Sequence, residues 1–73
     1  MRVIITEHAK KRLQDDRQSG IAINDIIDAA QKIPGRVPIA TRFRGFLSSG
    51  GRLFDIVAKD ILIGRLIITI IGK

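Results

Sequence analysis

The spacing of apolar residues divides the chain into a helical half and an extended half. Val3-Ile4-Ile5 is a short β-branched run and predicts a strand. Thr6 follows as a helix cap, and Glu7 is well placed in the first turn. The first helix is expected from Glu7 to about Arg17, with Ala9 and Leu13 sharing a face at i, i+4. Gln18-Ser19-Gly20 breaks it. Ile23, Ile26, Ile27, Ala30 and Ile33 keep the helical period and predict a second helix over 23–33. Its cap falls on Ala22 or Asn24, and Pro34-Gly35 ends it.

From Arg36 onward the pattern becomes extended. Val37-Pro38-Ile39-Ala40 reads as a connection or irregular edge strand, because Pro38 cannot donate to a ladder. Thr41 to Leu47 and Arg52 to Lys59 flank Ser48-Ser49-Gly50-Gly51, a hairpin signal, and Arg65 to Ile71 is the last strand. The order β-α-α-β-β-β predicts one α+β domain over residues 1–73. Two N-terminal helices pack on one face of an antiparallel sheet of three or four strands.

Strand alternation then assigns faces. With the turn centred on Ser49-Gly50, Leu47 pairs with Arg52, Gly45 with Phe54 and Phe43 with Ile56 on the helix-covered side. Arg44 lies opposite Asp55, Arg42 opposite Val57, and Phe46 points outward. If parity holds through a turn around Asp60 to Gly64, Ile68 and Ile70 join the covered face, and Arg65, Ile67, Thr69 and Ile71 the other. The uncovered side is thus expected to gather Arg42, Arg44, Asp55, Arg65 and Thr69. Beside them would lie an apolar patch of Phe46, Leu53, Val57, Ile67 and Ile71. A second copy of the chain or a partner peptide would cover such a patch. The alternative is a central last strand with both faces covered within the monomer.

Composition narrows the chemistry. The 73 residues include no cysteine and one histidine, which excludes disulfides, thiolate zinc sites and multi-histidine metal sites, and no cofactor is expected. Thirteen Lys and Arg against seven Asp and Glu give +6. Residues 34–73 carry +5 of this, with no acid between Asp28 and Asp55. Such a balance points to nucleic acid, an acidic protein or an anionic membrane. The apolar run at the start is too short for a signal peptide, and Gly64 and Arg65 interrupt the run over 61–71. A cytoplasmic chain with no membrane partner is expected. Tyr and Trp are absent, which argues against a base-stacking platform. The second helix carries Asp25 and Asp28 with Lys32 only at its end, which argues against a recognition helix.

Thr6-Glu7-His8-Ala9-Lys10-Lys11-Arg12-Leu13, then Gly20-Ile21 and Asp25-Ile26-Ile27-Asp28-Ala29, resembles an uncharacterised bacterial group. Its members begin with a Thr-x-His-Ala-x-x-Arg helix and a Gly-Ile-(Ser/Thr) break. Gly51 to Val57 and Leu66 to Ile71 look like its strands, so the resemblance covers nearly the whole chain. Ala22 departs from the usual Ser or Thr cap, and Asp15 to Ser19 replaces a shorter Glu-Arg junction. The element order is similar to the RelE/ParE toxin superfamily of small basic proteins, many of which cleave messenger RNA on the ribosome while others poison DNA gyrase. Tyrosine, used by several such toxins, is absent, and their C-terminal bases are reduced to Arg65 and Lys73.

The resemblance implies a toxin-type endoribonuclease or RNA- and ribosome-binding protein with an acidic, antitoxin-like partner. RNA cleavage needs a proton acceptor, a proton donor and stabilisation of the phosphorane charge. His8 is the candidate for proton transfer, and Arg12 lies one turn on. Arg12, Arg42, Arg44, Arg52 and Arg65 are the candidate phosphate binders, with Asp55 and Thr69 as polar neighbours. The plainer readings are a capping or packing histidine, and an Arg44–Asp55 cross-strand pair worth about 0.2–1 kcal/mol. A non-catalytic interaction module, homodimeric or partner-binding, is the alternative function.

Overall fold

The computed structural model describes residues 1–73, apart from the Arg17 side chain. It is an α+β arrangement: β1 (Val3–Ile5), α1 (Glu7–Leu13), a 3₁₀ turn (Asp16–Gln18), α2 (Ile23–Lys32), β2 (Thr41–Leu47), β3 (Leu53–Ile61) and β4 (Gly64–Gly72). The sheet order is β1-β4-β3-β2. β2, β3 and β4 form an antiparallel meander, but β1 joins β4 in parallel, so the sheet is mixed and not wholly antiparallel. The helices carry the chain from one edge of the sheet to the other, a connection long enough for β1 and β2 to run the same way. The meander then returns to lay β4 beside β1.

α1 starts where expected, since the Thr6 hydroxyl accepts the Ala9 N–H at 3.1 Å. It ends at Leu13, not Arg17. After Leu13 the period next falls on Asp16, which offers nothing apolar to bury. The chain turns instead and buries Gln18 and Ile21. α2 is capped at Ala22, whose side chain cannot accept. Asp25 supplies the missing partner by accepting the Ala22 N–H at 2.8 Å. Ala9, Ile26, Ala29 and Ala30 from the helices pack with Phe54, Ile56, Ala58, Ile67 and Ile70 from the sheet in one core. Both helices therefore cover the same face.

Two bulges reset the side-chain register. In β2, Phe43 pairs with Ile56 and Phe46 with Phe54, so Arg44 and Gly45 together face Asp55. Gly45 has φ +83°, which suits glycine at this bulge. The bulge turns Phe46 inward against Phe54, with ring centroids 5.7 Å apart. It also pairs Leu47 with Leu53 and leaves both exposed. The expected outward Phe46 and the pairs Leu47–Arg52 and Gly45–Phe54 are corrected by this one extra residue. In β4, Val57 pairs with Thr69 but Ala58 with Ile67, so Ile68 is the additional residue. That brings Ile67 and Arg65 beneath the helices with Ile70, reversing their expected side.

β1 pairs only with Arg65, Leu66 and Ile67. Beyond them α1 closes the edge of β4. The Thr6 hydroxyl donates to the Ile68 carbonyl and Arg12 Nε to the Ile70 carbonyl, each at 3.0 Å. Among the described residues, no helix is long and apolar enough to cross a membrane.

Candidate binding surface

The largest departure from expectation is Arg65. Its side chain is buried, 2% exposed, in the helical half of the molecule. Nη1 donates to the carbonyls of Ala30 and Ile33, both at 2.8 Å, at the C-terminal end of α2. Nη2 donates to Gly35 O at 2.8 Å and to Asp60 Oδ2 at 3.0 Å, and Nε to Asp60 Oδ1 at 2.6 Å. A guanidinium has five N–H donors, and all five are engaged here. The group neutralises Asp60, caps α2 and leaves no donor for a phosphate. Arg65 is a structural residue, and its expected phosphate-binding role is corrected.

The other candidates separate. His8 is exposed on the seven-residue α1, and the adjacent Arg12 is half-buried with Nε on the β4 edge. α1 packs on β4, while Arg42 and Arg44 stand on β2 at the opposite edge of the sheet. The structure does not bring His8 together with these arginines. Arg52 lies in the β2–β3 connection, where Nη1 donates to Ser19 O at 2.7 Å and Nε to Lys73 O at 3.1 Å. It ties that connection to the 3₁₀ region and to the end of β4.

On the face away from the helices, Asp55 is the organising residue. It is fully buried, although it sits on the uncovered side. Its carboxylate accepts Arg42 Nε and Nη2 at 2.9 and 2.8 Å, the Gly45 N–H at 3.1 Å and Lys73 Nζ at 3.2 Å. Burial alone would push its pKa up; the Arg42, Gly45 and Lys73 hydrogen bonds outweigh this and hold it below the ordinary value. The expected Arg44–Asp55 pair is thus replaced by Arg42–Asp55. Arg44 shares the bulge opposite Asp55 but stays exposed to solvent. Thr69 pairs with Val57 and is half-buried on this same face.

Alternation extends the surface along the sheet. Lys59 pairs with Leu66, and Leu66 with Ile4 across the parallel junction. Ile71 pairs with Asp55. Ile4, Val57, Leu66 and Ile71 therefore form a half-buried aliphatic strip, with Arg42, Arg44, Lys59 and Lys73 exposed around it. Lys59, Leu66 and Ile4 escaped the sequence reading, because the parallel β1–β4 pairing was not foreseen. Lys59 alone carried a signal, its i, i+2 phase with Val57; Leu66 stands three residues before Thr69, across the Ile68 bulge, and Ile4 follows only from the β1–β4 pairing.

Charge is divided between the two sides. Glu7, Asp15, Asp16, Asp25 and Asp28 all belong to the helical segment, and Asp60 is locked to Arg65. Asp55 is the one acid on the uncovered face, and it already holds two cations. Among the described residues no cluster of three or more His, Asp or Glu is placed to hold a metal. The arrangement is an aliphatic strip framed by four cations against a single acid, so the face keeps a net positive charge. It suits a partner that is both apolar and acidic. Comparison with family models, with curated proteins and with solved structures finds no match for this chain.

Proposed function

We propose that this chain works by binding, as a non-catalytic interaction module. The uncovered sheet face takes an acidic, amphipathic protein segment, antitoxin-like in its chemistry. One observation carries the reading: Ile4, Val57, Leu66 and Ile71 share a face with exposed Arg42, Arg44, Lys59 and Lys73 and with no free carboxylate. Apolar residues of the segment would cover the strip, and its carboxylates would meet the surrounding cations. Bare RNA would satisfy the cations but leave the strip wet.

A second reading keeps the toxin-type action on RNA or the translation apparatus. It is favoured by the exposure of His8, Arg42 and Arg44. The two readings part in one experiment. A synthetic peptide alternating glutamate and isoleucine is titrated calorimetrically into the wild type, Arg44→Glu/Lys59→Glu and His8→Ala, and the same proteins are incubated with RNA. The binding reading expects the peptide to lose at least about tenfold in affinity for Arg44→Glu/Lys59→Glu and nothing for His8→Ala. Equal peptide affinity for all three contradicts it. RNA cleavage that disappears in His8→Ala would establish the second reading instead.

A further inference from the structure

The β3–β4 hairpin ends in an unusual turn. Ile61 pairs with Gly64, so Leu62 and Ile63 alone form the tip. Tight hairpin turns favour Asn, Asp and Gly, because their backbone often needs positive φ. Here neither Leu62 nor Ile63 has positive φ, and neither finds an apolar neighbour to bury it: they are 102% and 61% exposed. Met1 is 66% exposed and lines an open cleft with Arg36, Ile61 and Leu62. The N-terminal segment is held beside the tip, since Arg65 N donates to Arg2 O at 2.7 Å and Gly64 packs directly on the Arg2 backbone. The acid lining the cleft, Asp60, is committed to Arg65. Arg2 and Arg36, both exposed, leave this end of the molecule positively charged.

From this we infer that the hairpin tip is a membrane-surface anchor that dips Leu62 and Ile63 into a bilayer bearing anionic headgroups. A convex aliphatic tip flanked by cations matches an apolar phase lying beneath a negatively charged layer. A second copy is a poorer occupant, because two such ends would bring Arg2 and Arg36 against their own kind. The contact is peripheral and needs no spanning segment, and it departs from the sequence-based expectation of no membrane partner. It is separate from the sheet-face reading and does not depend on it.

Co-sedimentation of the full chain with vesicles tests this. One set is phosphatidylcholine alone, the other phosphatidylcholine with phosphatidylserine. The wild type should pellet with the second set and not the first. Leu62→Ser/Ile63→Ser and Arg36→Glu should each weaken that binding about tenfold or more, while Lys10→Glu/Lys11→Glu on α1 should keep it. The substituted side chains are exposed, and circular dichroism of each variant verifies the fold. Failure of the wild type to bind phosphatidylserine vesicles overturns the inference, as does equal binding to both vesicle sets. Unchanged binding by Leu62→Ser/Ile63→Ser also overturns it, since the tip would then play no part.

Discussion

At the scale of single residues, two arginines of one chain do opposite work. Arg42 meets a buried carboxylate from the solvent side and stays 39% exposed, whereas Arg65 is enclosed and saturated. Removing one partner of a buried, fully bonded charge pair costs about 3–5 kcal/mol. Arg65→Met should therefore destabilise by about that much in urea unfolding, because it frees the Ala30 and Ile33 carbonyls and strands Asp60. Asp60 gives the matching pH dependence. Its hydrogen bonds to Arg65 lower its pKa from 3.8 to about 2. A carboxyl whose folded pKa is depressed stabilises the fold when ionised. Its contribution is complete above pH 3.8 and is lost as the pH falls through about 2. Asp60→Asn should flatten the fall in urea midpoint across that window; an unchanged slope would show that other carboxyls carry it.

At the scale of elements, connections decide what the strands present. The β2–β3 turn is stitched to the start of α2. Ser48 Oγ donates to Gly20 O at 2.6 Å, and the Ser49 N–H donates to Asp25 at 2.9 Å. The Ala22 and Ser49 backbone hydrogen bonds lower the Asp25 pKa. Gly50 lies so close to Gly20 that an added Cβ would come within 2.6 Å of its carbonyl oxygen. Gly50→Ala must push the two loops apart. It should cost about 1–3 kcal/mol in thermal or urea unfolding, while Ser49→Ala, which keeps the backbone bond to Asp25, should cost less than about 1 kcal/mol.

Much of this level was legible in the sequence. The helix starts, the Ser48-Gly51 turn and the pairs Phe43–Ile56 and Arg42–Val57 follow from capping, turn chemistry and alternation. The two bulges differ in legibility: a lone glycine inside a strand, Gly45, is a bulge signal that strict alternation passes over, whereas Ile68 looks like ordinary strand. Each nevertheless flips every inward position beyond it. That is why Phe46, Ile67 and Arg65 appeared on the wrong side. The site shared this limit: Arg42, Arg44, Asp55 and Thr69 lie on the expected face, while Arg65 does not.

At the scale of the whole molecule, a single helical layer on a four-stranded sheet leaves the other face bare. The helical segment holds five of the seven acids, and Asp55 and Asp60 are each neutralised by arginine. The bare face is left positive around an aliphatic strip, and the proposed function depends on that face. Amide NMR during titration with the alternating glutamate–isoleucine peptide tests it most directly. A binding surface there predicts that the largest shifts fall on Arg44, Val57, Lys59, Leu66, Thr69 and Ile71, with α1 and α2 nearly still. Shifts centred on His8 and the helices, or no saturable shifts at all, would contradict it.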